Sequence, residues 1–178
     1  MSLRARILAG ERLVGCFVKT PAPQVVEVLG LGGLDFVVAD REHAPIGTQT
    51  IDLMAMAGRS VDLPVLIRSR NAQADVIWPA LDMGCAGVMV PHIRGAAEAA
   101  KVADAMKYAR GRGFSPSGRA GGYGTLPPAE YRRQSDTGSV FLVQIEDAVA
   151  MAELDAIAAV PEVDVLFVGP QDLALSLG

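Results

Sequence analysis

Two carboxylates follow buried strand-like segments in the last third of the chain. Glu146 ends the apolar run VFLVQIE, and Asp172 comes shortly after the run VDVLFVGP. An acid at the rim of a buried strand needs a cation or another strong partner, and two such acids on neighbouring strands can share one divalent cation. Oxygen ligands favour Mg²⁺ or Mn²⁺, whereas no His/Cys cluster indicates zinc. The alternative is that each acid caps the helix that begins after it.

Other ionisable side chains also follow apolar strands. Asp40, Glu42 and His43 come directly after one strand, and Arg68 ends the next. Histidine changes charge near neutral pH, so His43 is a candidate for proton transfer. The guanidinium of Arg68 matches a carboxylate or a phosphate. The alternatives are a surface histidine satisfied by a neighbouring carboxylate and a salt bridge at the rim.

Three further features are harder to place. Asp82 lies near the C-terminal end of a predicted helix, where an acid opposes the helix dipole and needs a partner. A histidine from a neighbouring loop is a plausible partner. His92 follows Pro91, which leaves its direction open. The glycine-rich segment 111–124 lacks the GxxxxGK[ST] pattern of a phosphate loop, and a lid or a subunit contact is the better interpretation.

The elements that must position these residues alternate between strands and helices. Continuous apolar runs predict strands at 15–20, 34–39, 64–68, 88–91, 140–145 and 163–168. Helical spacing predicts helices at 3–9, 24–31, 48–60, 72–83, 96–109 and 148–160. Strands that are apolar along their whole length indicate a parallel sheet covered by helices.

This pattern allows an open doubly wound sheet or a (β/α)8 TIM barrel. No GxGxxG motif follows the first strand, and polar residues end nearly every strand. A barrel collects its site from the ends of many strands, so the barrel is favoured. Such a barrel takes about 250 residues. We therefore expect residues 1–178 to form one barrel domain that covers six strands and lacks its last βα units.

Composition limits the function classes. A net charge of −4 gives no indication that the protein binds nucleic acid or an anionic membrane. Cys16 and Cys85 lie in apolar settings without a CxxC motif, which favours reduced thiols. The segment MSLRARILAGERL carries charges throughout, unlike a signal peptide, and no apolar run reaches the length of a membrane span. We expect a cytoplasmic protein.

The chain resembles the HpcH/HpaI aldolase family, which comprises metal-dependent class II pyruvate aldolases. The resemblance is carried, in order along nearly the whole chain, by DFVVADREHAP, PVLIRS, LDMGCAGVMVPHI, GFSPSGRAGGYG, QIED and FVGPQDLALSLG. It implies a TIM barrel that assembles as a homohexamer. It also implies a divalent metal, Mg²⁺, Mn²⁺ or Co²⁺, held by Glu146 and Asp172.

The resemblance further assigns roles to site residues. Arg68 would bind the pyruvate carboxylate and stabilise the enolate oxygen, and His43 would act as acid and base with Asp82 as its partner. Gln144 would lie close to the metal. Backbone groups around Gly169 and Pro170 would seat the α-keto acid.

The leading hypothesis is reversible aldol cleavage of a 4-hydroxy-2-oxo acid to pyruvate and an aldehyde. A Schiff-base mechanism is disfavoured because, of the three lysines, Lys101 and Lys107 lie on the outer face of a helix and Lys19 matches no role in the family. One alternative is a citrate-lyase-β-like or malyl-CoA-lyase-like enzyme that acts on acyl-CoA. Another is a non-catalytic subunit that binds an α-keto acid or contributes to assembly.

Overall fold

A single parallel sheet organises the protein, whose computed structural model describes residues 1–178. Its strands are β1 (Gly15–Val18), β2 (Phe36–Asp40), β3 (Val65–Arg68), β4 (Gly87–Val90), β5 (Val140–Ile145) and β6 (Val165–Val168). Each strand pairs in parallel with the next one along the chain, so the spatial order is β1 to β6 without a reversal. A doubly wound sheet would reverse its order at a switch point. The six strands instead form a curled half-barrel, which confirms the α/β prediction, while closure into eight strands stays a prediction.

Helices connect the strands and cover the outer face of the sheet. They are α1 (Leu3–Leu8), α2 (Pro23–Leu31), α3 (Thr48–Ser60), α4 (Ala74–Asp82), α5 (Ala96–Met106), α6 (Pro128–Gly138), α7 (Ala148–Ala152), α8 (Leu154–Ala158) and α9 (Pro170–Leu177). No helix has the length and apolar character needed to cross a membrane.

Two helical regions differ from the prediction. The helix predicted at 148–160 is two short helices separated at Glu153, whose backbone leaves the helical region. Helix α6 lies in the long connection before β5, where no helix is predicted, and it follows the segment 111–124 that is interpreted as a lid or contact loop. Pro128 is at its first turn, and buried Tyr131 fixes it to the barrel by a hydrogen bond with Tyr108 (2.8 Å). The single buried residue of this mostly polar helix explains why its periodicity is weak.

Alternation along the strands separates two apolar layers. The outward positions, which pack against the helices, include Val37, Ala39, Ile67, Val88 and Val143. The inward positions, which fill the concave side of the sheet, include Phe17, Val38, Leu66, Met89, Leu142 and Phe167. Because side chains alternate with a period of two, residues two positions further along each strand also face inward, at the carboxyl edge of the sheet. Those residues are Lys19, Asp40, Arg68, Pro91, Gln144 and Gly169.

Candidate active site

Arg68 and Asp40 form the buried centre of the polar layer at the carboxyl edge. They are direct neighbours in the β2–β3 register. The guanidinium donates two hydrogen bonds to the carboxylate, from Nε to Oδ1 (3.0 Å) and from Nη2 to Oδ2 (2.6 Å). The guanidinium carbon of Arg68 lies 4.8 Å from the ring centre of Phe17, an inward-facing residue of β1 that packs against it. Burial raises the pKa of Asp40, but the hydrogen bonds from Arg68 and from two backbone amides outweigh it, so this pKa lies below its ordinary value.

The loop after β2 folds back onto the same carboxylate. The backbone amides of Glu42 and His43 donate to Asp40 Oδ1 at 3.0 and 3.1 Å. The carboxylate of Glu42 then lies 3.3 Å from Arg68 Nη1 and 3.6 Å from the Nε2 atoms of both His43 and His92. The imidazole of His43 is half exposed at the mouth, where a substrate can reach it. This arrangement suits proton transfer and also fits the simpler alternative of a histidine satisfied by a carboxylate.

Glu146 is a buried acid on the opposite side of the mouth. Glu146 is 2% exposed. Its Oε1 atom accepts a hydrogen bond from the backbone amide of His92 (2.8 Å), and its Oε2 atom accepts one from Gln144 Nε2 (2.5 Å). Burial raises the pKa of Glu146, and the charges of Glu42 and Asp172 add to this, although the amide of His92 opposes it. The pKa lies above its ordinary value because burial disfavours the charged form, and the imidazole of His92, 3.4 Å from Oε1, offsets only part of this.

Gly169 brings the start of α9 against this acid. A Cβ at this position would lie 2.9 Å from Gln144 Nε2 and 3.0 Å from Glu146 Oε2, so only glycine leaves the carboxylate its space. Pro170 begins the helix, and Asp172 is the half-buried acid of its first turn. The N-cap of α9 is Gly169 and that of α7 is Asp147, and neither makes a side-chain capping bond. The capping alternative for Glu146 and Asp172 is therefore not observed.

These residues fit a divalent cation by their chemistry. The Oε1 atom of Gln144 is buried without a hydrogen-bond partner and is a free oxygen ligand beside Glu146. Glu146, Asp172 and this amide oxygen are all hard oxygen donors, which suit Mg²⁺ or Mn²⁺. No group of three or more His, Cys, Asp or Glu side chains is arranged as a complete metal site. Water and substrate oxygens would have to complete the shell, so the metal site stays a prediction.

Asp82 does not contact His43 within the chain. It ends α4 and precedes β4, at the amino edge of the sheet, whereas His43 follows β2 at the carboxyl edge. Its carboxylate forms an ion pair with Arg112, whose side chain is fully buried and lies 4.3 Å from the ring centre of Tyr108. Within this chain a buried arginine from the connection before β5, and not a histidine, balances Asp82, and the catalytic role expected for Asp82 stays a prediction.

Two further groups lie at the mouth: Lys19, to which the motifs assign no role, and His92, whose direction the sequence leaves open. Lys19 follows β1 and lies 3.6 Å from Asp40 Oδ2. His92 adopts a left-handed backbone (φ 56°), and its Nδ1 lies 3.1 Å from Asp147 Oδ2. Burial lowers the pKa of His92, but the hydrogen bond with Asp147 and the charges of Glu146 and Glu42 raise it overall. The period of two from Phe17 could have located Lys19, while the turn at His92 had no sequence signal.

A well-defined cavity lies away from these residues. It is about 750 Å³ in volume and opens at the amino edge of the sheet, where α1, the end of α4 and α6 meet. None of the predicted site residues lines it. The candidate active site is therefore defined by its polar side chains rather than by the size of its cavity.

Known proteins are similar to this chain in sequence and in fold. The family model described as HpcH/HpaI aldolase/citrate lyase matches residues 13–178. A 5-keto-4-deoxy-D-glucarate aldolase of Salmonella paratyphi A is 38% identical over 179 residues, which cover 98% of this chain and 68% of that relative. An HpcH/HpaI aldolase from Desulfitobacterium hafniense has a TM-score of 0.94 at 27% identity, with 100% of this chain and 70% of that chain covered. The citrate synthase SbnG has a TM-score of 0.89 at 27% identity, with 99% and 69% covered.

The fold and the site together define an α/β protein that builds a charged site at the carboxyl ends of parallel strands. The chain belongs to the HpcH/HpaI aldolase/citrate lyase family, and its aldolase relatives support a carbon–carbon lyase. The resemblance identified from the sequence motifs is thereby confirmed.

Proposed function

We propose that the protein is a class II aldolase that cleaves a 4-hydroxy-2-oxo acid reversibly to pyruvate and an aldehyde. The observation that carries the proposal is the buried carboxylate of Glu146, which has a raised pKa and lies between the free oxygen of Gln144 and the gap left by Gly169. A buried acid in such surroundings is typical of a site that receives a cation. The aldolases among the relatives support this reaction class.

Arg68 is the substrate-binding cation in this proposal. Its Nε and Nη2 atoms are engaged by Asp40. Its Nη1 atom lies 3.3 Å from Glu42 Oε2 without a hydrogen bond, and the carboxylate or keto oxygen of pyruvate would meet the guanidinium on this side. The pair with Asp40 and the contact with Phe17 hold the guanidinium in one orientation. Pre-organised charge of this kind stabilises negative charge that develops on the keto oxygen.

His43 is the proposed proton carrier. In the cleavage direction its Nε2 atom takes the proton of the 4-hydroxyl group, the C3–C4 bond breaks, and the aldehyde leaves. The electron pair remains on the pyruvate fragment as its enolate, which takes a proton at C3 to complete the methyl group. Glu42, 3.6 Å from this imidazole, orients it and stabilises its protonated form.

Glu146 and Asp172, assisted by Gln144, are the residues proposed to hold a divalent cation. When bound, Mg²⁺, Mn²⁺ or Co²⁺ would supply Lewis-acid stabilisation of the keto oxygen. The backbone around Gly169 and Pro170 is proposed to seat the α-keto acid, since this is where the chain approaches Glu146 most closely.

A second candidate reaction is carbon–carbon bond chemistry of the citrate synthase or citrate lyase kind, including action on acyl-CoA. It is favoured by the likeness to a citrate synthase at 27% identity. The two reactions differ in the compound that is released, because the aldolase yields pyruvate and a citrate-type lyase yields an acetyl or acyl fragment. A third possibility, a subunit that binds an α-keto acid without turnover, predicts binding but no product.

Self-association is also proposed. Four large apolar side chains on α2 and α3 are exposed: Val28, Leu31, Leu53 and Met56. A patch of this kind is typical of a protein–protein interface. A homo-oligomer, with a hexamer as the specific expectation, would bury it, and light scattering after size exclusion measures the mass directly.

A retro-aldol assay with coupled pyruvate detection separates the three candidates. The aldolase proposal predicts pyruvate release from 4-hydroxy-2-oxo acids, loss of activity in EDTA, and recovery with Mn²⁺, Co²⁺ or Mg²⁺. Full activity in EDTA would contradict the metal assignment. Release of an acyl product from a citrate-type substrate without pyruvate release would favour the second candidate, and binding without any product would favour the third.

A further inference from the structure

Arg41 is a buried cation for which the chain supplies no carboxylate. It follows β2 directly and faces the helices, because Asp40 before it faces inward. The residue is only 9% exposed and takes part in no ion pair. Its charged neighbour Arg70 is a second cation, whose Nε donates to the backbone oxygen of Arg41 (3.1 Å). A buried charge without a counter-charge is costly, so this part of the molecule carries unbalanced positive charge.

The guanidinium of Arg41 lies at the first turn of α3. Its Nη2 atom donates to Oγ1 of Thr48 (3.2 Å), the residue that begins this thirteen-residue helix. Its Nε atom is buried and has no hydrogen-bond partner. Burial and the charge of Arg70 lower the pKa of Arg41, in keeping with a cation that lacks an anion beside it. The chain thus leaves a strong donor unused at the start of α3.

The start of α3 is itself open to an anion. The backbone amides of Thr48, Gln49 and Thr50 have no hydrogen-bond partner within the chain, and the first turn contains no acid. The N-cap residue Gly47 offers no side chain, and a Cβ there would meet no heavy atom within 4 Å. Free amides and the helix dipole attract negative charge. The helix start and the guanidinium therefore present donors to the same space.

We propose that Arg41 and the first turn of α3 form a binding site for a phosphate group. A guanidinium fork and free backbone amides match the oxygens of a tetrahedral oxyanion, and a dianion balances the charges of Arg41 and Arg70. The site lies on the outer side of the sheet, whereas Asp40 and Arg68 face inward. It is separate from the candidate active site, and the inference does not depend on the proposed reaction. The ligand is inorganic phosphate or the phosphate group of a metabolite.

Calorimetric titration with inorganic phosphate, in the presence of Mg²⁺, tests the site. Arg41→Met should weaken phosphate binding about tenfold or more, since it removes charge-assisted hydrogen bonds. Arg59→Met removes an exposed arginine from the other end of α3 and is the matched control, which should keep the wild-type affinity. Unchanged affinity in Arg41→Met would overturn the inference, because phosphate would then bind at the metal or at Arg68. An equal loss in Arg59→Met would also overturn it, because the attraction would then come from general charge.

Thr48→Glu provides a second variant, which places a carboxylate where the phosphate would bind. It should abolish phosphate binding and raise the urea midpoint in phosphate-free buffer, because an acid in the first turn balances Arg41 and the helix dipole. Arg41→Met should keep the wild-type midpoint in the same buffer, since no carboxylate loses its partner. Phosphate binding at wild-type strength in Thr48→Glu, or a lower urea midpoint, would contradict the site.

A parallel titration with glycerol 3-phosphate distinguishes the two sources of the phosphate group. Tighter binding of glycerol 3-phosphate identifies a phosphorylated metabolite as the ligand, and tighter binding of inorganic phosphate identifies the free ion. Either result supports the inference, provided that Arg41→Met weakens it. Failure of the wild type to bind both compounds would overturn the inference.

Discussion

Arg68 and Asp40 meet through two hydrogen bonds, at 3.0 and 2.6 Å, between neighbouring strands of the parallel sheet. Both residues are buried, so neither charge can be satisfied by water if the other is removed. The loop that carries Glu42 and His43 closes on the same carboxylate. Asp40 thereby connects the arginine proposed to bind the substrate with the proposed proton carrier.

Asp40→Asn should destabilise the protein and remove part of its acid sensitivity. Breaking a buried ion pair costs about 3 kcal/mol, because the remaining charge is left without a partner. The folded-state pKa of Asp40 lies below its ordinary value, so the ionised carboxylate contributes stability above that ordinary value. This contribution is lost as the pH falls through the lower folded-state pKa. Urea unfolding at a series of pH values measures both effects.

Asp104→Asn is the control for this experiment, since Asp104 forms an exposed pair with Arg110. Exposed pairs contribute little, so this variant should keep the wild-type free energy of unfolding and its pH dependence. Identical acid sensitivity in Asp40→Asn and the wild type would contradict the role given to the Arg68–Asp40 pair.

Gly169→Ala should weaken metal binding. The new Cβ would lie 2.9 Å from Gln144 Nε2 and 3.0 Å from both Cβ and Oε2 of Glu146, so these two buried side chains would have to shift. The displaced carboxylate would no longer point at the cation, and we expect Mn²⁺ affinity to fall about tenfold. Gly95→Ala is the control, because no heavy atom lies within 4 Å of a Cβ there. Unchanged Mn²⁺ affinity in Gly169→Ala would contradict the position assigned to the metal.

Asp82→Ala should destabilise the protein by about 1–3 kcal/mol, since it leaves the buried guanidinium of Arg112 without its carboxylate. Urea unfolding of Asp82→Ala, Arg112→Ala and the double variant measures the coupling between the two side chains. We expect a clear coupling energy. Wild-type stability in Asp82→Ala, together with an altered pH profile of activity, would contradict the assignment of Asp82 to Arg112.

Borohydride reduction in the presence of pyruvate should leave the protein unmodified. Lys101 is exposed on α5, and Lys107 donates to the backbone oxygen of Asp136, so neither reaches the mouth. Lys19 does reach it and is the residue that a Schiff-base mechanism would require. Intact-protein mass spectrometry reads the outcome, and a reduced pyruvate adduct on Lys19 would contradict the class II assignment.

Much of the architecture was predictable because parallel strands that are buried on both faces are apolar throughout. The six strands and the charged residues at their carboxyl ends follow from that one pattern. The same logic predicted that Glu146 and Arg68 lie at the mouth, where the structure places both. Their chemical roles stay predictions.

The contacts that the sequence did not reveal depend on tertiary packing. The partner of Asp82 comes from thirty positions further along the chain, in a connection whose helix has one buried residue. The amide of His92 reaches Glu146 only because the backbone after Pro91 turns into the left-handed region. Neither contact leaves a periodic pattern, so neither could be read from spacing.

Mn²⁺ titration by calorimetry tests the central claim most directly. The wild type and the control Asp104→Asn should each bind one Mn²⁺ ion per chain, with the same affinity. Removal of an outer-shell partner already costs about 10–100-fold in metal affinity, so Glu146→Gln and Asp172→Asn should each lose roughly 100-fold or more. Arg68→Ala should keep Mn²⁺ affinity and weaken pyruvate binding. Wild-type Mn²⁺ affinity in both acid variants would contradict the proposal that Glu146 and Asp172 hold the metal of an aldolase.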